Sequence, residues 1–170
     1  MAEYKTIALT GHRPNKLWGY NMSLPQYAIV KQALKDALDK ACASTVISGM
    51  ALGFDQIGAR VALETGRKLI ASVPFSGQEG NWPKTSQDEY KRLLSLAAET
   101  VTVCDGNYAP WKMLRRDMWM VDHANLVIAL WNGSDSGTGH TVRYALEKGI
   151  PVWALNPMNI NSSREFAPIR

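Results

Sequence analysis

The sequence predicts a single-domain α/β fold of the Rossmann-like type, with a mostly parallel sheet and helices on both faces. Three observations predict it. Short β-branched, apolar runs alternate with amphipathic segments from end to end, which is the sequence form of a sheet built from βαβ units. Several runs, such as Leu126-Val127-Ile128-Ala129-Leu130, lack polar alternation, as strands covered on both faces do. The segments that follow the runs collect Gly, Ser, Thr and single charged residues, as befits loops at the carboxyl ends of strands, where open sheets bind ligands.

The apolar runs predict strands over Lys5–Leu9, Thr45–Ser48, Lys68–Val73, Thr100–Cys104, Asn125–Trp131 and Pro151–Leu155. A first helix is expected after Ser23 as N-cap, with Pro25 in its first turn, running to about Ala41. It turns Tyr27, Val30, Leu34, Ala37, Leu38 and Ala41 to one side. A second, Phe54 to about Thr65, groups Phe54, Ile57, Val61 and Ala62 and stops at Gly66. A third runs from about Ser86 to Ala98 with Tyr90, Leu93, Leu94 and Ala97 inward. A fourth spans about Lys112 to His123, its apolar face drawn from Leu114, Met118 and Val121, and a fifth about Thr141 to Lys148, ending at Gly149.

Composition bounds the rest. A chain of 170 residues is the size of one domain and buries roughly 70% of its unfolded surface. Its 46% hydrophobic and 20% charged content is that of a globular protein. The net charge of +4 is small and its basic residues are interleaved with acids, as in Lys31, Lys35, Asp36, Asp39 and Lys40. That pattern disfavours a nucleic-acid partner. Cys42 and Cys104 have no metal-ligand spacing and are expected to be buried, reduced thiols. Without a signal-peptide core or a membrane-length apolar run, the expected location is cytoplasmic.

Three loops at the predicted rim and one helix carry the candidate site. Asn132, Gly133, Ser136, Gly137 and Thr138 join a buried strand to a helix, so their N–H groups and hydroxyls can converge on an anion; the alternative is an ordinary βα turn. In Gly49-Met50-Ala51-Leu52-Gly53-Phe54-Asp55 the glycines serve tight packing or ligand approach. Asp55 is either a first-turn acid at a helix dipole or a partner for a ligand hydroxyl or ribose. After the first strand, Gly11, His12 and Arg13 precede Pro14. Arg13 is a phosphate contact or a surface Arg, and His12 a structural or a catalytic histidine. Arg116 falls near the edge of the fourth helix's apolar face. Walker, GxGxxG, HExxH and GxSxG motifs are absent, and no metal or resident cofactor is expected.

Five motifs occur in order: Thr10-Gly-His-Arg-Pro14, Ser48-Gly-Met-Ala-Leu-Gly-Phe-Asp55, Pro74-Phe-Ser-Gly-Gln78 with Trp82-Pro83, Arg116-Asp-Met-Trp-Met-Val-Asp122, and Ser136-Gly-Thr138. Together they resemble the YpsA-like branch of the SLOG superfamily, which includes the LOG phosphoribohydrolases and the DprA DNA-processing proteins. The resemblance implies one Rossmann-like domain over residues 1–170, a homo-oligomer, and a site for nucleotide-derived ligands related to NAD, ADP-ribose or cyclic nucleotides. It sets Arg116 at the position of the LOG catalytic Arg. The LOG Glu has no counterpart, because Gly139, His140 and Thr141 follow Gly137-Thr138; Asp135, Asp55 or His140 are the substitutes at hand. Three functions follow as expectations: a binding module for a nucleotide derivative, a nucleotide N-glycosidase, and a DprA-like binder of single-stranded DNA.

Overall fold

A computed structural model describes residues 3–170. The strands are β1 (Thr6–Gly11), β2 (Thr45–Ser48), β3 (Lys68–Val73), β4 (Glu99–Thr102), β5 (Leu126–Leu130), β6 (Val152–Leu155) and β7 (Ala167–Ile169). The helices are α1 (Pro25–Ala41), α2 (Phe54–Glu64), α3 (Lys84–Leu96), α4 (Pro110–Asp122) and α5 (Gly137–Glu147). One seven-stranded sheet has the order β4-β3-β2-β1-β5-β6-β7 and is parallel throughout except for β7, which runs antiparallel to β6. The predicted Rossmann-like α/β architecture is therefore the one observed.

Alternation along the central strands feeds two cores. Ile7, Leu9, Leu126, Ile128 and Leu130 pack with α1, α2 and the Tyr90 and Leu93 side chains of α3. Ala8, Val127 and Ala129 face the other way, against Met120 and Val121 of α4 and Val142 and Ala145 of α5. The chain moves outward from β1 to β4, then returns to place β5 on the free side of β1. The gap between the carboxyl ends of β1 and β5 is thus the topological switch point.

Several boundaries differ from the sequence expectation. β1 continues to Gly11, which pairs with Leu130. β4 ends at Thr102, so Cys104 lies in the following loop, buried, with its N–H on the Pro74 carbonyl. Cys42, expected inside, is exposed, because it closes α1 in a left-handed conformation (φ 56°). Ser23 does not cap α1. Pro25 takes the first helical position, and the residue before it, Leu24, is extended (φ −61°, ψ 141°) as a residue before proline is driven to be.

α3 and α4 start two residues early, at Lys84 and Pro110. α5 starts four residues early, because Ser136 is its N-cap and accepts the Gly139 N–H at 3.1 Å. The inward face of α4 is Lys112, Arg116, Met120 and Val121; Leu114 and Met118 are only half-buried. β7 was not anticipated: three residues with Pro168 at the centre carry no strand pattern.

Gly11 shows how tightly the switch point is packed. A Cβ there would sit 2.6 Å from the Phe54 Cβ and 2.5 Å from its Cδ2, and Phe54 is fully buried. Gly11→Ala is expected to lower stability by about 1–3 kcal/mol through overpacking, which thermal melts followed by circular dichroism would read as a fall of roughly 2–4 °C per kcal/mol.

Candidate functional site

The loops after β1, β2 and β5, together with α4, enclose a cleft of about 250 Å³ at the switch point. Of the residues singled out from the sequence, Gly11, His12, Arg13, Asp55, Arg116, Ser136, Gly137 and Thr138 line it. The other four do not. Gly49 lies behind Arg116, Met50 is fully buried with φ 63°, and Asn132 and Gly133 belong to the outer part of the β5–α5 loop. Lys16, Asn15, Met113 and Asp117 line the cleft without having been singled out. Lys16 and Asn15 sit in the 3-10 turn that Pro14 opens, where reading the β1 loop three residues further would have found them.

Arg116 is the central side chain. It is 3% exposed, and burying a guanidinium is tolerable only when its donors are met. Nη1 donates to the Gly49 carbonyl at 2.5 Å and the Ser72 carbonyl at 3.3 Å, and Nε donates to Asp117 Oδ1 at 2.7 Å. Gly49 must be small, since a Cβ would approach the Arg116 Cζ to 2.7 Å. Nη2 donates to no described residue and remains available to the cleft.

The network continues to α5. Thr141 Oγ1 donates toward Asp117 Oδ2 at 3.3 Å or to the Gly137 carbonyl at 3.0 Å, tying the anchor of Arg116 to the first turn of the helix opposite. Within that turn the Gly139 N–H is capped by Ser136, whereas the N–H groups of Gly137 and Thr138 find no acceptor among the described residues. They are the orphan donors of a helix N-terminus, at its positive end.

Gly137 differs from the neighbouring glycines. A Cβ built on it meets nothing within 4 Å and its φ is not positive, so neither packing nor backbone conformation demands glycine there. Gly139 is demanded, because its Cβ would lie 2.5 Å from the Ser134 carbonyl.

His12 holds the two central loops together. Its N–H bonds the Leu130 carbonyl at 3.2 Å, and its Nε2 accepts the Asn132 N–H at 3.1 Å. That acceptor role requires a neutral ring with the proton on Nδ1, and burial pulls the pKa of His12 below its ordinary value, against the opposing effect of the Asn132 bond.

Asp55 is 8% exposed, and its Oδ2 accepts the Ala51 N–H at 3.3 Å. Burial pushes its pKa up to about 7, the positive charge of Arg116 opposing and the negative charge of Asp117 adding. Of the groups that could replace a missing carboxylate after Gly137-Thr138, Asp55 lines the cleft. Asp135 has a 93% exposed side chain paired with Arg143, and His140 does not line the cleft. Among the described residues no cluster of three or more His, Cys, Asp or Glu is arranged for a metal ion, and no helix is long and apolar enough to cross a membrane.

A model of the YspA SLOG family matches residues 7–156, spanning every cleft-lining residue just described. The chain belongs to this SLOG family. The SPbeta prophage-derived protein YoqJ of Bacillus subtilis is 31% identical over 129 residues, covering 65% of this chain and 75% of its own. Solved structures share the fold at lower identity. A DNA processing protein A of Helicobacter pylori, described by its single-stranded DNA binding mode, has a TM-score of 0.65 at 20% identity over 89% of this chain and 65% of that one. The molybdenum cofactor binding protein of Rippkaea orientalis has a TM-score of 0.58 at 17% identity over 92% of this chain and 78% of that one. The disfavouring of nucleic acid from charge alone gains no support from these structural neighbours.

Asp55 has a pH consequence. Its folded-state pKa lies above the unfolded value near 3.8, so the folded state holds the proton more tightly and its contribution to stability is lost as pH rises from about 4 through 7. Asp55→Asn is expected to flatten this fall and to raise stability at pH 8 by an amount on the order of a few kcal/mol. Urea unfolding at pH 5 and pH 8 checks it.

Proposed function

We propose that this SLOG protein binds a phosphorylated, nucleotide-derived small molecule, related to ADP-ribose, NAD or a cyclic nucleotide, with a phosphoryl group seated on the first turn of α5. The observation that carries the reading is the pair of unclaimed N–H groups at Gly137 and Thr138, opening on a cleft that also holds Arg13, Lys16 and Arg116. A helix N-terminus flanked by guanidinium donors is matched to a phosphate. Glycine at position 137, which the fold itself does not need, lets an anion approach the backbone closely. Arg116 Nη2 supplies a fixed positive charge whose direction is set by Gly49, Ser72 and Asp117.

A second reading is single-stranded nucleic acid. Tyr108 and Trp111 are exposed at the start of α4, with the Arg115 guanidinium 5.7 Å and Lys112 Nζ 5.5 Å from the Trp111 ring. Aromatic faces beside basic groups are what successive bases stack on, and the Helicobacter pylori neighbour is described by such a binding mode.

Thermal shift with ADP-ribose, NAD and nucleoside monophosphates tests the first reading. A ligand at a hundredfold excess over its Kd adds about 2.7 kcal/mol to folding, and Gly137→Ala is expected to abolish the shift while leaving the ligand-free melt at or slightly above that of the native chain. Absence of any shift at millimolar concentration, or its survival in Gly137→Ala, counts against it. For the second reading, labelled oligothymidylate should bind with an affinity that falls steeply with salt and weaken about ten-fold or more in Trp111→Ala; binding indifferent to that substitution removes it.

A further inference from the structure

A second cleft, of about 370 Å³, lies between the starts of α2 and α3. It shares no lining residue with the first. The two walls touch where Gly53 meets the β1 loop, so closely that a Cβ on Gly53 would sit 2.8 Å from the His12 carbonyl. The volume falls within the ~300–1,000 Å³ of pockets that take small molecules, and the phosphate-binding reading makes no use of it.

Part of this cleft is suited to an anion. α3 begins without a side-chain cap, and the N–H groups of Thr85 and Ser86 find no acceptor among the described residues. Both residues line the cleft, so these donors open on it at the positive end of a 13-residue helix. Arg60 lines it from α2. Its Nε donates to Glu89 Oε1 at 2.9 Å, while neither Nη has an acceptor among the described residues. Arg92 donates to both oxygens of Glu89 at 2.8 Å, so one negative charge is shared by two guanidiniums and a positive charge is left over.

Gln56 supplies the opposite requirement. It is 4% exposed, and its Nε2 donates to the Met50 carbonyl at 3.3 Å. That bond fixes which end of the amide faces outward, because only the NH2 can donate to a carbonyl. Oε1 receives no donor among the described residues and is not sealed from the cleft that Gln56 lines. A buried acceptor left open toward a cavity is matched to a donor on the occupant. Gln56 and Arg60 are four residues apart on α2, hence on one face with Cβ atoms roughly 5–6 Å apart, so the occupant carries a donor and an anion side by side. The rest of the wall is apolar, with Leu52, Tyr20 and Met22; the last two are large side chains that the core leaves exposed.

We propose that this second cleft binds a free α-amino acid with an apolar side chain. Its carboxylate lies on the α3 N-terminus and Arg60, its ammonium donates to Gln56 Oε1, and its side chain covers Leu52, Tyr20 and Met22.

Calorimetric titration with L-leucine, with 4-methylpentanoate, which lacks the ammonium, and with isoamylamine, which lacks the carboxylate, tests this. Leucine is expected to bind roughly ten-fold or more tightly than either, the worth of one hydrogen bond to a charged group. In Arg60→Gln the affinity for leucine should fall about ten-fold or more while that for isoamylamine holds. In Gln56→Met leucine should fall to the affinity of 4-methylpentanoate. Arg60 is half-buried and its loss leaves Glu89 paired with Arg92, so Arg60→Gln carries the test should Gln56→Met lose its folded circular dichroism. No binding of leucine at millimolar concentration, 4-methylpentanoate binding as tightly as leucine, or leucine keeping its full affinity in Arg60→Gln each overturns the proposal, and none of these outcomes bears on the phosphate site of the first cleft.

Discussion

The burial of one guanidinium organises the functional end of this molecule. Arg116 points from α4 into the space below the β2 and β3 loops, and a charge can stay there only because two backbone carbonyls and Asp117 receive its protons. Each receiver places a demand on another element. Gly49 must lack a side chain, and β3 must present the Ser72 carbonyl. Asp117 is shared with Thr141 on α5. The loop after β2, strand β3 and helices α4 and α5 are thereby fixed relative to one another by polar contacts, whereas the two apolar cores on either side of the sheet fix only their own layers.

That arrangement explains which features were legible in the sequence. The sheet was readable because Leu126 to Leu130 and its companions are apolar on both faces, and α1 and α2 because Tyr27 to Ala41 and Phe54 to Ala62 repeat at helical spacing. α4 was misread for a physical reason. Its inward face carries Lys112 and Arg116, and a pattern of hydropathy assigns charges to solvent when their carbonyl acceptors, in the preceding loop for Lys112 and after β2 for Arg116, are invisible. The start of α5 was obscured by Gly137-Thr138-Gly139, which have poor helix propensity but follow a capping serine. The site itself was legible where a loop supplied it locally, as at Gly11 to Arg13 and Ser136 to Thr138. On α4 the family resemblance singled out Arg116 but gave no signal for Asp117 beside it, and Asn15 and Lys16 lay just past the β1 motif.

The cleft carries both basic groups and a carboxyl. The α5 N-terminus, Arg13, Lys16 and Arg116 line it together with Asp55, whose carboxyl pKa burial raises to about 7. His12 contributes as a neutral brace between the β1 and β5 loops rather than as a charge. Solved structures that share this fold at TM-scores of 0.65 and 0.58 bear names that refer to different ligands. Such divergence is expected when the scaffold is set by packing and the chemistry by loop residues.

The glycines around the cleft are not interchangeable witnesses. Gly11 is required by the ring of Phe54 and Gly49 by the guanidinium of Arg116, so each would persist in a descendant that had lost every ligand. Gly137 has no such internal creditor. Drift at that position in a relative would mark a change of occupation, while drift at the other two would mark only a rebuilt interior.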